Sequence, residues 1–203
     1  MIQKLVKNLV FIVSLFAVSI SFAQTGPKET LQNSIDTLLS EFSARRAELE
    51  NDKAKTYLFA ESIIQQSWDF PKMAQLVLGK NWRTIDDQQK EAFISAFKGL
   101  LIRTYSSAMF KQTGKESIKL KEPIYKGTKK NRAVISAEGS LGDGSGNVPL
   151  SFSMFQNKAA EWKIYNVAIA GVSLVTTYRS SYNQIIAAKG IDYLITSINK
   201  KAS

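Results

Sequence analysis

Apolar positions recur along this chain at two different periods, and the change of period divides it. From Pro27 to about Leu49, the residues Leu31, Ile35, Leu38, Leu39 and Phe42 fall at helical spacing. NDKAKTYLFAESIIQQSW predicts a second helix that reaches Trp68. Asp69 stands before FPKMAQLVLG, where Pro71 suits a first helical turn and Gly79 the position just past a helix end. The widest stripe comes next, with Phe93, Phe97, Leu100, Leu101, Tyr105, Ala108 and Met109 on one side of a long helix. Thr84 and Asp87 have the spacing of a capping box at its start, and Gly114 is its expected stop.

The period then shifts to two. SIKLKEPIY, RAVISAEGSL, VPLSFSMF and EWKIYNVAIA read as four strands, separated in two places by the turn signals KGTKKN and GDGSGN, which imply antiparallel hairpins. Helical spacing returns in VSLVTTYRSSYNQIIAAK, Gly190 closes it, and IDYLITSI makes a short last helix. Helices, then four antiparallel strands, then helices define an α+β fold, a curved four-stranded sheet covered by helices.

The strand pattern raises one question. Val148, Leu150, Phe152 and Met154 share a face of their strand. With strict alternation, Tyr165, Val167 and Ile169 share one face of the last strand, while Trp162, Ile164 and Ala168 take the other. A strand apolar on both sides needs cover on both sides. The segment after it, AIAGVSLV, is apolar where a turn would be polar, with Gly171 as its pivot. Either the corner packs on Phe93 and Phe97 as ordinary core, or it walls an apolar cavity. Periodicity alone leaves both readings open.

The N-terminus belongs to a different class. MIQKLVK supplies Lys4 and Lys7, Leu9–Ile20 is apolar, and Ser21-Phe22-Ala23 carries small residues where a signal peptidase cuts. Residues 1–23 are therefore expected to be a cleaved secretory signal. The run is shorter than the ~20 residues of a membrane span. The remainder, residues 24–203, is enough for one domain with a substantial core. The net charge of +10 becomes +8 without Lys4 and Lys7. Export argues against a nucleic-acid partner, so the charge reads as a solvated basic surface or as attraction to anionic membranes and acidic partners.

The chain has no His and no Cys. That removes Ser-His-Asp triads, Cys-His pairs and the usual zinc ligands, and no metal or cofactor is expected. Asp86-Asp87 reads as capping rather than as a catalytic carboxylate pair. Glu138 and Tyr165 are the acid–base candidates an enzyme would need. Trp82, between Lys80 and Arg83, suits either a core edge or a membrane–water boundary. Arg179 suits either a structural carboxylate or a phosphate or partner.

FPKMAQLVLGKNW, QQKEAFISAFKGLLIRTY and WKIYNVAIAGVSLVTTYRSSYNQIIAAKGIDYLI, in that order, resemble the MlaC family, also called the toluene-tolerance or ABC-transporter auxiliary family. The resemblance runs from about Glu29 to Ile198. It implies a nuclear-transport-factor-like cone of curved sheet and helices with an added helical subdomain. It implies a monomeric periplasmic phospholipid carrier, working between an outer-membrane MlaA-like lipoprotein with its porin and an inner-membrane MlaFEDB-like ABC transporter, without cofactor or covalent chemistry. The apolar corner would then face lipid tails. The expected pocket walls are Phe97, Leu101, Tyr105, Leu150, Phe152, Met154, Tyr165, Val167, Ile169, Val172 and Leu174. Lys72, Lys80, Arg83, Arg103 and Arg179 are headgroup or partner candidates by charge. The alternatives are a carrier of other apolar small molecules and an isomerase-like enzyme on the same fold.

Overall fold

The computed structural model describes residues 25–109, 117–140 and 146–202, with side chains of 106–109 and 201–202 left aside. The expected signal segment, Gly114 and most of the GDGSGN turn lie outside the described residues. Six helices and six strands are described: α1 (Pro27–Leu49), α2 (Lys53–Ser67), α3 (Phe70–Leu78), a 3-10 turn (Gly79–Arg83), α4 (Asp87–Met109), β1 (Ser117–Leu120), β2 (Ile124–Lys126), β3 (Arg132–Ser140), β4 (Asn147–Gln156), β5 (Trp162–Ile169), β6 (Val172–Ser173), α5 (Leu174–Lys189) and α6 (Ile191–Ala202). The fold is α+β with an open antiparallel sheet, ordered β1–β3–β4–β5–β6 with β2 also on β3.

The helix ends obey local chemistry. The Asp69 carboxylate accepts from Lys72 N at 2.7 Å and starts α3, and Gly79, at φ 57°, ends it. The start of α4 differs from the expectation. Asp86, not Thr84, is the cap. Its carboxylate accepts from Gln89 N at 2.7 Å, and Gln89 Oε1 accepts from Asp86 N at 3.3 Å. This is a reciprocal capping box. Thr84 instead donates its hydroxyl to Asn81 O in the preceding 3-10 turn, so that turn has already claimed the residue the spacing proposed.

The expected first strand divides into β1 and β2 at Pro123. Both halves pair with the same edge of β3, Leu120 opposite Ala137 and Ile124 opposite Val134, which leaves an extra residue on the outer strand. Proline has no N–H to give the ladder and sits at edges and bulges. The sheet therefore keeps four main rows plus the two-residue β6.

A second irregularity overturns the expected faces of β5. Met154 pairs with Ile164, but the next partner of Ser153 is Asn166, so Tyr165 is the extra residue of a β-bulge. The alternation resets there. Trp162, Ile164, Val167 and Ile169 all join the face of Ala133, Ile135, Phe152 and Met154. Tyr165 goes to the other side, where its ring meets Phe155 edge-on at 5.7 Å. Strict alternation put Ile164 and Val167 on opposite faces; one inserted residue places them together.

The apolar face of the sheet is covered by Leu31 and Ile35 of α1. A second core lies among α3, α4, α5 and α6 around the stacked Phe93 and Phe97 rings, 5.7 Å apart. A third joins α1, α2 and α4 through Phe42, Leu49, Phe59, Ala60 and Ile102. The α2–α3 junction is fastened to the outer edge of β5, where Asp69 N donates to Ile164 O at 2.8 Å and Trp68 forms a parallel bridge.

The corrected cap gives a test. Asp86→Ala should lower the unfolding free energy by about 1 kcal/mol, the usual worth of an N-cap, whereas Thr84→Ala should stay within about 0.5 kcal/mol, as for ordinary surface changes. Urea titration of both variants measures the two values.

Candidate functional site

The three cores do not merge. Where they approach one another a cavity of about 180 Å³ remains, open on one side. Each core contributes wall. Leu38 of α1, Ala60 and Ile64 of α2 and Ile102 of α4 come from the third core; Phe70 and Leu101 come from the helical core. Trp68, Val167, Ile169 and Leu174 come from the sheet side, and Tyr105 completes the lining. The walls are aliphatic or aromatic, and the Tyr105 hydroxyl and Trp68 indole are the only side-chain polar groups among them. Tyr105 stands at the edge, 39% exposed, and partial burial lifts its hydroxyl above the ordinary tyrosine range.

The corner after β5 delivers Leu174 to this cavity through a small polar network. The bulge places Asn166 so that its Oδ1 accepts from Ser173 Oγ at 3.0 Å and from Val175 N at 3.2 Å. Ser173 Oγ in turn accepts from Thr176 N at 3.2 Å, capping α5. Ala170 and Gly171, both at positive φ, make the tight reversal. The apolar corner then divides three ways. Leu174 enters the cavity wall, Val175 packs into the helical core, and Val172 is 58% exposed. Each of the two readings of the corner thus accounts for one of its residues.

Of the residues expected as pocket walls, Leu101, Tyr105, Val167, Ile169 and Leu174 are brought together here. Phe97 is fully buried in the helical core, Leu150, Phe152 and Met154 lie in the core beneath α1, and Tyr165 lies on the opposite sheet face. The sequence reasoning missed Leu38, Ala60, Ile64, Trp68, Phe70 and Ile102. Ala60 and Ile64 carried a signal, since they are one helical turn apart in an apolar stretch.

The charged candidates lie outside this lining. Lys80 and Arg83 are in the 3-10 turn between α3 and α4. Arg179 Nε donates to Leu76 O at 2.6 Å, satisfying a C-terminal carbonyl of α3, which is neither the carboxylate nor the phosphate contact expected. Arg103 lies over the Tyr57 ring at 5.2 Å. Lys72 lies over Phe155 on the far sheet face, at 6.0 Å, and Lys90 lies over Trp82 at 5.8 Å. Glu138 faces away from the cavity and pairs with Lys121 at 2.9 Å, a hydrogen bond and a charge that hold its carboxyl below the usual range. It lacks the raised pKa and the cavity position a buried base would need. Among the described residues no cluster of acidic side chains is placed to hold a metal, and no helix is long and apolar enough to cross a membrane.

Comparison with known proteins agrees with this architecture. The pattern of the family described as "MlaC protein" matches residues 32–200. The "Intermembrane phospholipid transport system binding protein MlaC" of Haemophilus influenzae is 25% identical, over 96% of this chain and 91% of its own length. A phospholipid-binding protein from Ralstonia solanacearum, solved in complex with a phospholipid, superposes with a TM-score of 0.78 at 20% identity, covering 87% of this chain and 96% of the other. Both relatives are described as phospholipid-binding or phospholipid-transport proteins rather than as enzymes.

In the helical core, burial holds the Tyr182 hydroxyl well above the ordinary tyrosine range, with a smaller contribution from Tyr178. An unfolded tyrosine ionises near ~10. Above that pH the unfolded chain therefore binds fewer protons than the folded one, and stability falls as pH rises. Tyr182→Phe should flatten this alkaline decline. Chemical denaturation at pH 8 and pH 11 checks the difference, and an unchanged slope would exclude Tyr182 as its source.

Proposed function

The chain belongs to the MlaC family, and on that premise we propose that it is a periplasmic phospholipid carrier whose cavity between the three cores receives acyl chain. The observation that carries this is the cavity itself, an opening at a junction of cores whose lining is almost wholly apolar. A well-packed domain does not leave such space without cost, because each unfilled volume forfeits contacts. An opening walled by Val167, Ile169, Leu174 and Leu101 offers no partner for a charged or strongly polar ligand. It suits hydrocarbon.

The energetics fit a shuttle. Burying a lipid methylene is worth about 0.8 kcal/mol, so a lipid with some 30 of them would lose roughly 24 kcal/mol on entering water bare. A cavity as apolar as a bilayer interior makes transfer between membrane and protein nearly neutral. Docking and an energised partner can then set its direction. We place the protein between an outer-membrane lipoprotein complex of the MlaA kind and an inner-membrane ABC transporter of the MlaFEDB kind, acting without covalent chemistry. The basic surface, +8 after removal of the expected signal segment with Lys4 and Lys7, favours encounter with anionic surfaces.

The cavity volume supports a second reading. At about 180 Å³ it lies below the ~300–1,000 Å³ of drug-sized pockets, which suits a carrier of smaller apolar molecules. One experiment separates the two. The full chain is exported in a Gram-negative host, purified without detergent, and analysed by native mass spectrometry and lipid extraction. A mass excess matching phospholipid supports the carrier of membrane lipid. A smaller apolar adduct supports the alternative, and a bare mass with no uptake from liposomes contradicts both.

Two substitutions locate the site. Leu174→Asp puts a carboxylate in the hydrocarbon wall, where an unpaired charge costs several kcal/mol, and co-purified lipid should fall by roughly tenfold or more. Val172→Asp, two residues away but exposed, should retain lipid at the wild-type level. Loss in both variants, or in neither, would separate lipid binding from this cavity.

A further inference from the structure

We propose that the two adjoining turns at one end of the sheet, β2–β3 and β4–β5, form a cationic tether that rests the protein on an anionic lipid bilayer, apart from the cavity. The tether goes beyond the carrier function and does not depend on it. The charge of the chain is divided. Residues 25–109 carry eleven basic and eleven acidic side chains, so the whole +8 left after the expected signal segment comes from residues 110–203. Within that portion, cations gather at one end of the sheet. Lys126 ends β2, Lys129 and Lys130 lie in the turn that follows, and Arg132 begins β3. Lys158 lies in the turn after β4, and the two turns are fastened side by side where Gln156 N donates to Asn131 O at 3.0 Å. All five side chains are exposed, and among the described residues none of them joins an ion pair.

The arrangement works against the stability of the hairpin. Lys126 and Arg132 are direct cross-strand partners, and like charges so placed repel. Lys130 holds a positive φ of 50°, where a side chain is disfavoured. The first turn contains no acid. The one acid of the second, Glu161, is already taken up by Lys163 at 3.2 Å and by the Asn157 amide at 2.9 Å. Beside the cations on β2, Ile124 is 57% exposed and Tyr125 is 45% exposed, the Tyr125 ring resting edge-on against Trp162 at 6.1 Å. Exposed aliphatic and tyrosine side chains next to lysines match the boundary between headgroups and hydrocarbon. Four of the five cations are lysine, a residue depleted at protein–protein interfaces, where arginine is favoured. A bilayer surface asks for no fixed geometry and accepts lysines as point charges, so the composition favours lipid headgroups over an acidic protein. Val167 and Ile169 of the cavity wall lie further along β5 from Trp162, roughly 20 Å away at the rise of a strand. Binding at the turns therefore keeps the protein at a membrane surface without using the cavity lining.

The test is vesicle co-sedimentation of the purified protein with phosphatidylcholine vesicles, with and without phosphatidylglycerol, at about 0.1 M and about 1 M salt. Wild type is compared with the double variant Lys129→Glu/Lys130→Glu, and with Lys53→Glu/Lys200→Glu, which makes the same change of net charge near the ends of α2 and α6. Thermal unfolding confirms that each is folded, and Lys126→Glu/Lys158→Glu serves if the first variant is not. Wild type should bind the phosphatidylglycerol vesicles and release them at high salt. The turn variant should bind them roughly tenfold or more weakly, and the charge-matched control should stay within about threefold of wild type. No preference of wild type for phosphatidylglycerol would overturn the tether and leave the cations to an acidic protein partner. Equal loss in the turn variant and the control would overturn it as well, leaving net charge alone. Co-purified lipid, counted separately by native mass spectrometry, reports on the cavity, so failure of the tether and failure of the carrier function give different results.

Discussion

The inserted residue in β5 is the constraint on which the rest of the site depends. Without the bulge at Tyr165, Val167 and Ile169 would turn to the opposite face from Ile164, and the sheet would present no continuous apolar surface toward α1 and α2. The same insertion brings Asn166 against the corner, where its carboxamide oxygen accepts from the Ser173 hydroxyl and from the Val175 amide in the first turn of α5. One backbone event has two results: the strand's apolar residues face the cavity, and α5 starts where Leu174 can meet them. Bulges bend and twist the strand that carries them, and here the bend lies beside the place where three cores fail to close.

That failure to close has a physical use. A core that packs to crystal-like density has no space for a guest, while a hydrated opening would hold lipid poorly. The arrangement lies between these limits. Side chains from α1, α2, α4 and β5 surround the space on several sides, anchored in the three cores that meet there. Two polar contacts add to this packing: the Lys98–Glu61 pair between α4 and α2, at 2.6 Å, and the Asp69–Ile164 bond between the α2–α3 junction and the sheet. A partly exposed ion pair contributes little to stability, so the α2–α4 contact rests on the apolar core they share.

Much of the fold was legible in the sequence because its punctuation is strong. Asp69, Pro71, Gly79 and Gly190 stand where helices begin and end, and the spacing of Leu31, Ile35 and Phe42 gave α1 its buried side. The family pattern likewise pointed to a lipid site at the β5–α5 corner, and five of the residues named from it meet around one cavity. What was not legible has one cause in each case. A period of two has no symbol for an extra residue, so Tyr165 was assigned to the wrong face. Helical spacing shows that Ala60 and Ile64 share a side of α2 but not which neighbour that side meets. Charge shows that Arg179 seeks an acceptor, but not that the acceptor is the Leu76 carbonyl at the end of α3.

The central claim is that hydrocarbon lies against Val167, Ile169, Leu101 and Leu174. The most direct measurement is isotope-filtered NMR on carbon-13-labelled protein loaded with unlabelled phospholipid, reading which methyl groups are close to acyl methylenes. The account predicts contacts to those four residues and to Ile64 and Ile102, with none to Val172 or to Ile124 on the exposed sheet edge. Contacts confined to the exposed methyls, with the cavity methyls silent, would contradict it.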